Sequence, residues 1–290
     1  MAAWGEEELP LASCGAAGAD RPTACGEGAP RPLLVSLGSW CCVKSTIRAL
    51  GLGGASLPFD WARSTLDGVL QALRSGFEGY LEYHTVIAHA PREDLVARDY
   101  ERDCDEDADI EYKDVYVADG HSFWHDDLWH ERELEKNRRR IRRFLQLREG
   151  RAVFVRAVCH SSEVARLQEL HGALRARFGR EVRLLVLVNY QPSDVTLLFA
   201  DSPGLLVVTL GRRYDASEAW SGQVPVYSEA ILGALRCWQT GARPRSHAVL
   251  QSPACLLANW GVLFEDVDLG EDHTRHFTPY PTPHRPQLRG

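Results

Sequence analysis

Three runs between residues 152 and 188 decide the fold class: AVFVRAV at Ala152–Val158, SEVARLQELHGALRARF at Ser162–Phe178, and VRLLVLV at Val182–Val188. The first and third are short and apolar on nearly every position, which is the pattern of a strand buried on both faces. Between them, Val164, Leu167, Leu170, His171, Leu174 and Phe178 recur at helical spacing and form one stripe. A strand, a crossover helix and a second buried strand make the unit of a parallel sheet. LLVVTL at Leu205–Leu210 supplies another such strand. The expected architecture is therefore α/β, a three-layer sandwich with a mostly parallel sheet flanked by helices.

Upstream, Pro32–Leu37 is an apolar run stopped by Gly38, after which Val43, Ile47 and Leu50 take helical spacing until Gly51-Leu52-Gly53-Gly54. A second helix is predicted through Leu66, Val69, Leu70 and Leu73, with Ser64 as its cap and an end near Gly76. Residues 84–127 are acidic, aromatic and histidine-bearing without a long period, and read as loops and short strands around a functional face. Trp129–Leu147 is a helix on the spacing of Leu134, Ile141, Phe144 and Leu145, its arginines forming a solvated face. A last helix is expected over Ser228–Trp238. Residues 1–31 read as a flexible leader, 32–271 as a single α/β domain, and the stretch 272–290 as a proline-rich tail.

Composition removes several function classes. A net charge of -7 and a pI near 5.9 argue against a nucleic-acid partner. No apolar run approaches the roughly 20 residues that cross a bilayer, so no membrane partner is expected. The acidic N-terminus lacks the features of a signal peptide, and a cytoplasmic location follows. The 8 cysteines are dispersed and form no CxxC pair, as suits reduced thiols rather than a disulfide scaffold or zinc ribbon. No cofactor is expected. Gly51-Leu52-Gly53-Gly54 ends a helix instead of opening one, and Leu37-Gly38-Ser39 is too short for a dinucleotide fingerprint. The carboxylates of Asp103–Asp109 read as a solvated loop.

The chemistry concentrates at Ser36-Leu37-Gly38-Ser39-Trp40-Cys41. With Ser39 as cap, Cys41 and Cys42 occupy the second and third positions of the helix, where open backbone N–H groups favour a thiolate. The same positions also suit two small buried hydrophobes at a strand–helix junction. Candidate bases are His121 and His125, with His130 nearby and His160 after the strand ending at Val158. His121, His125, Asp126, Asp127 and His130 are also metal-ligand types, but HxxxH serves a metal only on a helix, and the glycine and aromatics here suggest a loop.

Ser36–Cys41, then Leu57-Pro58-Phe59-Asp60-Trp61, then Phe123-Trp124-His125-Asp126 before the arginine-rich helix together resemble the DUF1796 family, whose members are predicted papain-like cysteine peptidases. The resemblance covers about residues 33–190. It implies Cys41 as nucleophile, with Cys42 as an adjacent competitor, and His125 as base, with Asp60 or Asp126 orienting the imidazole. Ser39, Trp40, Trp61 and His121 are the binding residues expected around them. It also implies an alternative papain-like α+β fold. The function expected is that of a cysteine-dependent hydrolase attacking an amide or ester carbonyl of an unidentified peptide or small-molecule substrate. Two alternatives stand beside it. One is a glycosyltransferase-like or nucleotide- or sugar-binding α/β protein, and the other is a non-catalytic α/β binding module.

Overall fold

A computed structural model describes residues 32–88, 114–148, 150, 152–158, 161–189, 191–211, 219–258 and 284–285. The expected leader, the acidic run Asp103–Asp109, His160 and most of the tail lie outside them. Eleven strands and six α-helices are found among the described residues.

Six strands form one sheet: β1 (Leu33–Ser36), β6 (Ala152–Val158), β7 (Arg183–Val188), β8 (Val195–Phe199), β9 (Leu205–Thr209) and β10 (His247–Leu250). Their order is β1-β6-β7-β9-β8-β10. β1, β6, β7 and β9 are mutually parallel, β8 runs antiparallel to β9, and β10 is parallel to β8. The sheet is thus mostly parallel, and the α/β architecture is the one adopted. β8 and β10 lie outside the expected set of strands, β8 although its VTLLF is an apolar run. β10 is an edge strand whose residues alternate between exposed and half-buried, so it lacks the apolar run that marks an interior parallel strand.

Side chains alternate across this sheet into two apolar clusters. Leu34, Val153, Val155 and Ala157 face helices α1 (Cys42–Ala49) and α5 (Ala219–Thr240), which pack on each other. Val35, Phe154 and Val158 face the opposite way, toward α2 (Leu66–Ser75), α3 (Glu131–Leu145) and α4 (Leu167–Phe178). The layers are therefore helix, sheet, helix. A 3-10 helix over Ser161–Arg166 precedes α4 and takes the first part of the expected 162–178 helix. α5 begins earlier than its apolar spacing implies and runs through Pro225. A proline inside a helix removes one donor and argues against helix in a sequence reading. A short α6 (Cys255–Ala258) follows β10.

The second sheet, of order β11-β3-β4-β5-β2, is antiparallel throughout. It consists of β2 (Ala62–Ser64), β3 (Thr85–Ala88), β4 (Asp114–Ala118), β5 (His121–Phe123) and β11 (His284–Arg285). It is inserted between α1 and α3 in chain order, apart from β11, which brings two residues of the C-terminal stretch against Val86 and Ile87. Among the described residues no helix is long and apolar enough to cross a membrane.

Candidate functional site

β1 leads directly into the turn that carries the cysteines. Leu37 N–H donates to Val155 O at 2.8 Å, prolonging the ladder by one bond. Gly38 and Ser39 then adopt positive φ values of 73° and 79°. Glycine is required at the first: a Cβ there would lie 2.3 Å from Ser64 Oγ. Ser39 is held in a strained conformation for an L-residue. Its N–H donates to Ser64 Oγ at 3.1 Å, and Ser64 Oγ in turn donates to Leu37 O at 3.3 Å. Gly38 N–H donates back to Ser36 Oγ at 3.1 Å.

This geometry moves the start of α1. Cys41 is the N-cap residue and Cys42 the first helical residue, so Ser39 lies two positions too early to cap. Its N–H is bound to the neighbouring strand instead, with which it also shares the Ser64 N–H to Ser39 O bond. Ser64 likewise does not cap α2, because it ends β2 and bridges the turn. Thr65 caps that helix by accepting from Gly68 N–H at 3.1 Å.

The two cysteines part company at this point. Cys42 packs with Val43, Ile47 and Tyr227 in the apolar cluster under α1 and α5. Burial pushes its thiol up to about 12 against the pull of Thr46. Cys41 is 7% exposed and belongs to neither apolar cluster. Cys41, Cys42, Cys237 and Cys255 are all thiols and not disulfides.

The β2–β5 strand pair positions the histidines. Gly68 at the start of α2 and Gly120 in the β4–β5 turn lie so close that a Cβ on Gly68 would be 2.2 Å from Gly120 O. Gly120 O accepts from both Thr65 N–H (2.9 Å) and Thr65 Oγ1 (3.0 Å). β5 then pairs with β2 and carries the chain to Trp124 and His125. The half-buried His125 ring meets Trp61 edge-on, with centroids 5.7 Å apart. Trp61 donates from Nε1 to Ser56 Oγ at 3.2 Å and carries the Arg48 guanidinium of α1 5.9 Å from its ring centroid. His125, Trp61 and the cysteine helix are in this way joined through aromatic and cation–π contacts. Trp124 is covered by the Arg63 guanidinium at 4.1 Å. Trp40 is half-buried against the cluster that holds Cys42.

His121 takes a structural place. It is buried, stacks on Tyr80 at 4.2 Å, and donates from Nε2 to Tyr80 O at 2.7 Å. Burial lowers its pKa, which keeps the ring neutral. It lines a cavity of 280 Å³ with Gln71, Tyr83, His84 and Asp119, and no residue of the Ser36–Cys41 turn lies on that wall.

Both carboxylates expected to orient an imidazole are committed to cations. Asp60 is buried, pairs with Lys44 of α1 at 2.8 Å, and accepts from Leu57 N–H at 2.8 Å. Burial raises its pKa against the pull of Lys44. Asp126 receives Arg140 Nη1 at 2.7 Å and 3.0 Å on its two oxygens, and Lys136 Nζ at 3.2 Å. Burial acts to raise its pKa, but Arg140 and Lys136 outweigh that and hold the carboxyl below its ordinary value. Asp127 accepts from Tyr116 Oη and from Trp129 N–H, and lies 3.5 Å from the exposed His130 ring. The histidine–aspartate cluster is thereby dispersed over core, ion pairs and surface. Among the described residues no group of three metal-ligand side chains comes together.

One site residue carried no motif. Arg156 stands in the middle of β6, fully buried, and reaches Leu37 O, Ser64 O and Glu163. Its only sequence signal was a lone charge in the otherwise apolar run AVFVRAV. The sheet topology explains why these groups meet. β1 exits to α1 on one face and β6 exits to the 3-10 helix and α4 on the other. A divergence of neighbouring parallel strands is the switch point at which open α/β sheets hold their ligands, at the strands' carboxyl ends.

The chain belongs to the family described as "Putative papain-like cysteine peptidase (DUF1796)", whose model matches residues 33–190, more than half of the chain. That span includes the cysteine turn, the whole of α1–α4 and the strands through β7. Neither a search of curated proteins nor one of solved structures finds a match to the chain.

Proposed function

From that membership and from the turn between β1 and α1, we propose that the chain is a cysteine-dependent hydrolase whose nucleophile is Cys41 and whose general acid and base is His125. The observation that carries the reading is the position of Cys41 as N-cap of α1, at the carboxyl end of a strand next to the sheet's switch point. The unsatisfied N–H groups of the first turn and the helix dipole favour a thiolate on that residue. Cys42 is the weaker nucleophile, because burial raises its pKa far above neutrality.

In the reaction, the Cys41 thiolate attacks the carbonyl carbon of an amide or ester and forms the tetrahedral oxyanion. Collapse breaks the bond to the leaving group, which takes a proton from the His125 imidazolium, and leaves a thioester on Cys41. His125 then draws a proton from water, whose oxygen attacks the thioester and releases the acid and the thiolate. The N–H groups at the start of α1 are suitable donors to the oxyanion. Asp60 and Asp126 act at one remove, by fixing α1 and α3 through their ion pairs. The substrate is a peptide or a small acyl compound, and the thiol requires the reducing conditions that a cytoplasmic location supplies.

Labelling with iodoacetamide near pH 6, resolved by peptide mass spectrometry, tests the proposal. Cys41 is expected to react at least about tenfold faster than a model thiol while Cys42 stays unmodified. A Cys41 rate equal to that of the model thiol rejects the hydrolase. A second reading, sugar or nucleotide binding without covalent chemistry, is favoured by the mostly parallel sheet and its switch point. It predicts a raised Tm with such ligands in both wild-type protein and Cys41→Ser.

A further inference from the structure

Arg156 is the one charged residue of β6 and is 0% exposed. A guanidinium in that place loses its hydration, and an apolar residue of similar volume would serve the sheet as well or better. Every interaction it makes runs to the end of the sheet that carries the cysteines. Nε and Nη2 donate to Glu163 Oε2 at 2.9 Å and 2.7 Å. Nη1 donates to Leu37 O at 3.0 Å and Nη2 to Ser64 O at 3.2 Å. Leu37 immediately precedes the positive-φ pair Gly38–Ser39, and Ser64 is the residue whose hydroxyl and N–H hold that pair. Glu163 lies in the 3-10 helix that leaves β6 on the other face.

One planar fork therefore ties the exits of β1, β2 and β6 together. We infer that Arg156, oriented by Glu163, is the positioning residue of the cysteine turn: its guanidinium fixes the Leu37 and Ser64 carbonyls so that Ser39 keeps its strained conformation and Cys41 stands as N-cap of α1. The inference rests on the reading of Cys41 as nucleophile. Without the fork the turn relaxes toward ordinary φ values, α1 shifts its start, and Cys41 loses its place at the N-terminus of α1. Lysine cannot replace it, since a single ammonium lacks the bidentate planar geometry that spans three acceptors.

The experiment measures the pH–rate profile of Cys41 alkylation, together with Tm, in the full chain and in two variants. Arg156→Lys is expected to lower the Cys41 rate about tenfold near neutrality by raising the apparent pKa of the profile by about one unit. The double variant Arg156→Met with Glu163→Met removes both charges at similar volume, so its Tm stays close to or above that of wild type. Its Cys41 rate nevertheless falls as in Arg156→Lys. A merely structural role would let the double variant recover the wild-type profile together with the Tm. A double variant of wild-type Tm and wild-type profile overturns the inference, as does a wild-type profile in Arg156→Lys where the double variant does not fold. A wild-type protein whose Cys41 reacts no faster than a model thiol overturns the cysteine reading and this one with it, and that outcome is distinct from an enhanced rate unaffected by the variants.

Discussion

Cys41 and Cys42 are adjacent, yet one stands at a helix cap and the other in an apolar cluster. A single residue of helix phase separates a candidate nucleophile from a core thiol. Cys42→Ala is accordingly expected to leave Cys41 labelling unchanged and to lower stability by about 1 kcal/mol, from the small cavity left beside Val43 and Ile47. Urea unfolding combined with labelling of Cys41 checks both parts. Gly38 is less forgiving: Gly38→Ala combines a positive φ with a Cβ driven into Ser64 Oγ. A loss on the order of 2–4 kcal/mol is expected, together with loss of enhanced labelling.

The buried histidines set the pH response. His121 and His171 both have pKa values held below 6.5, first by burial. In the unfolded chain they take up protons as pH falls through about 6.5, whereas the folded chain resists. Stability therefore decreases as pH falls below that value, and His121→Gln is expected to weaken the Tm dependence between about pH 6.5 and 5. Asp126 acts in a lower window. Its folded pKa is depressed, so its contribution is present above the unfolded value near 4 and is lost as pH falls through the folded one. Asp126→Asn should cost stability at pH 7, with the difference from wild type shrinking below about pH 4. Tm series across both windows read the two effects separately.

At the scale of elements, α1 and the β2–β5 strand pair are the parts that build the site, and they are joined by specific links. Lys44 and Arg48 of α1 reach Asp60 and Trp61, and Ser64 holds the turn in front of α1. At the β4–β5 turn the Gly68–Gly120 approach seats β5 on α2. Gly68→Ala would force the Gly120 carbonyl away and displace β5. We expect a stability loss on the order of 2–3 kcal/mol and a lower Cys41 rate, as β5 leads directly to His125. Thr65→Ala, which removes the cap and the hydroxyl's bond to Gly120 O but keeps the Thr65 N–H bond to the same carbonyl, should cost less, about 1 kcal/mol. Comparing the two by denaturant unfolding tests whether the backbone approach or the Thr65 hydroxyl's bonds seat β5 on α2.

Over the whole molecule, legibility follows burial. β6, α4, β7 and β9 were readable because interior parallel strands are continuous apolar runs and the crossover helix keeps one stripe. β10 was not, since a half-exposed edge strand leaves no such run, and β8 went unassigned although VTLLF at Val195–Phe199 is an apolar run as long as that of β9. α5 was read three turns too short because Pro225 outweighs helical spacing in sequence while packing against α1 outweighs Pro225 in the fold. The cysteine turn was recognisable from Gly38 and the change of period after it, but the start of α1 was not. That start depends on Ser64 and Arg156, which are distant in sequence and reach the turn only in the folded chain. The ion pairs of Asp60 and Asp126 are hidden for a similar reason: a carboxylate in a short motif says nothing of the lysine or arginine that reaches it from a helix.

The central claim is that the fold holds Cys41 as a thiolate at neutral pH. Difference absorbance at about 240 nm between wild-type protein and Cys41→Ser, followed across pH, measures that ionisation alone. We predict an apparent pKa below about 7.5, rising toward the ordinary thiol value near 8.5 in His125→Asn. A wild-type value at or above about 8.5 would contradict the assignment of Cys41 as the nucleophile.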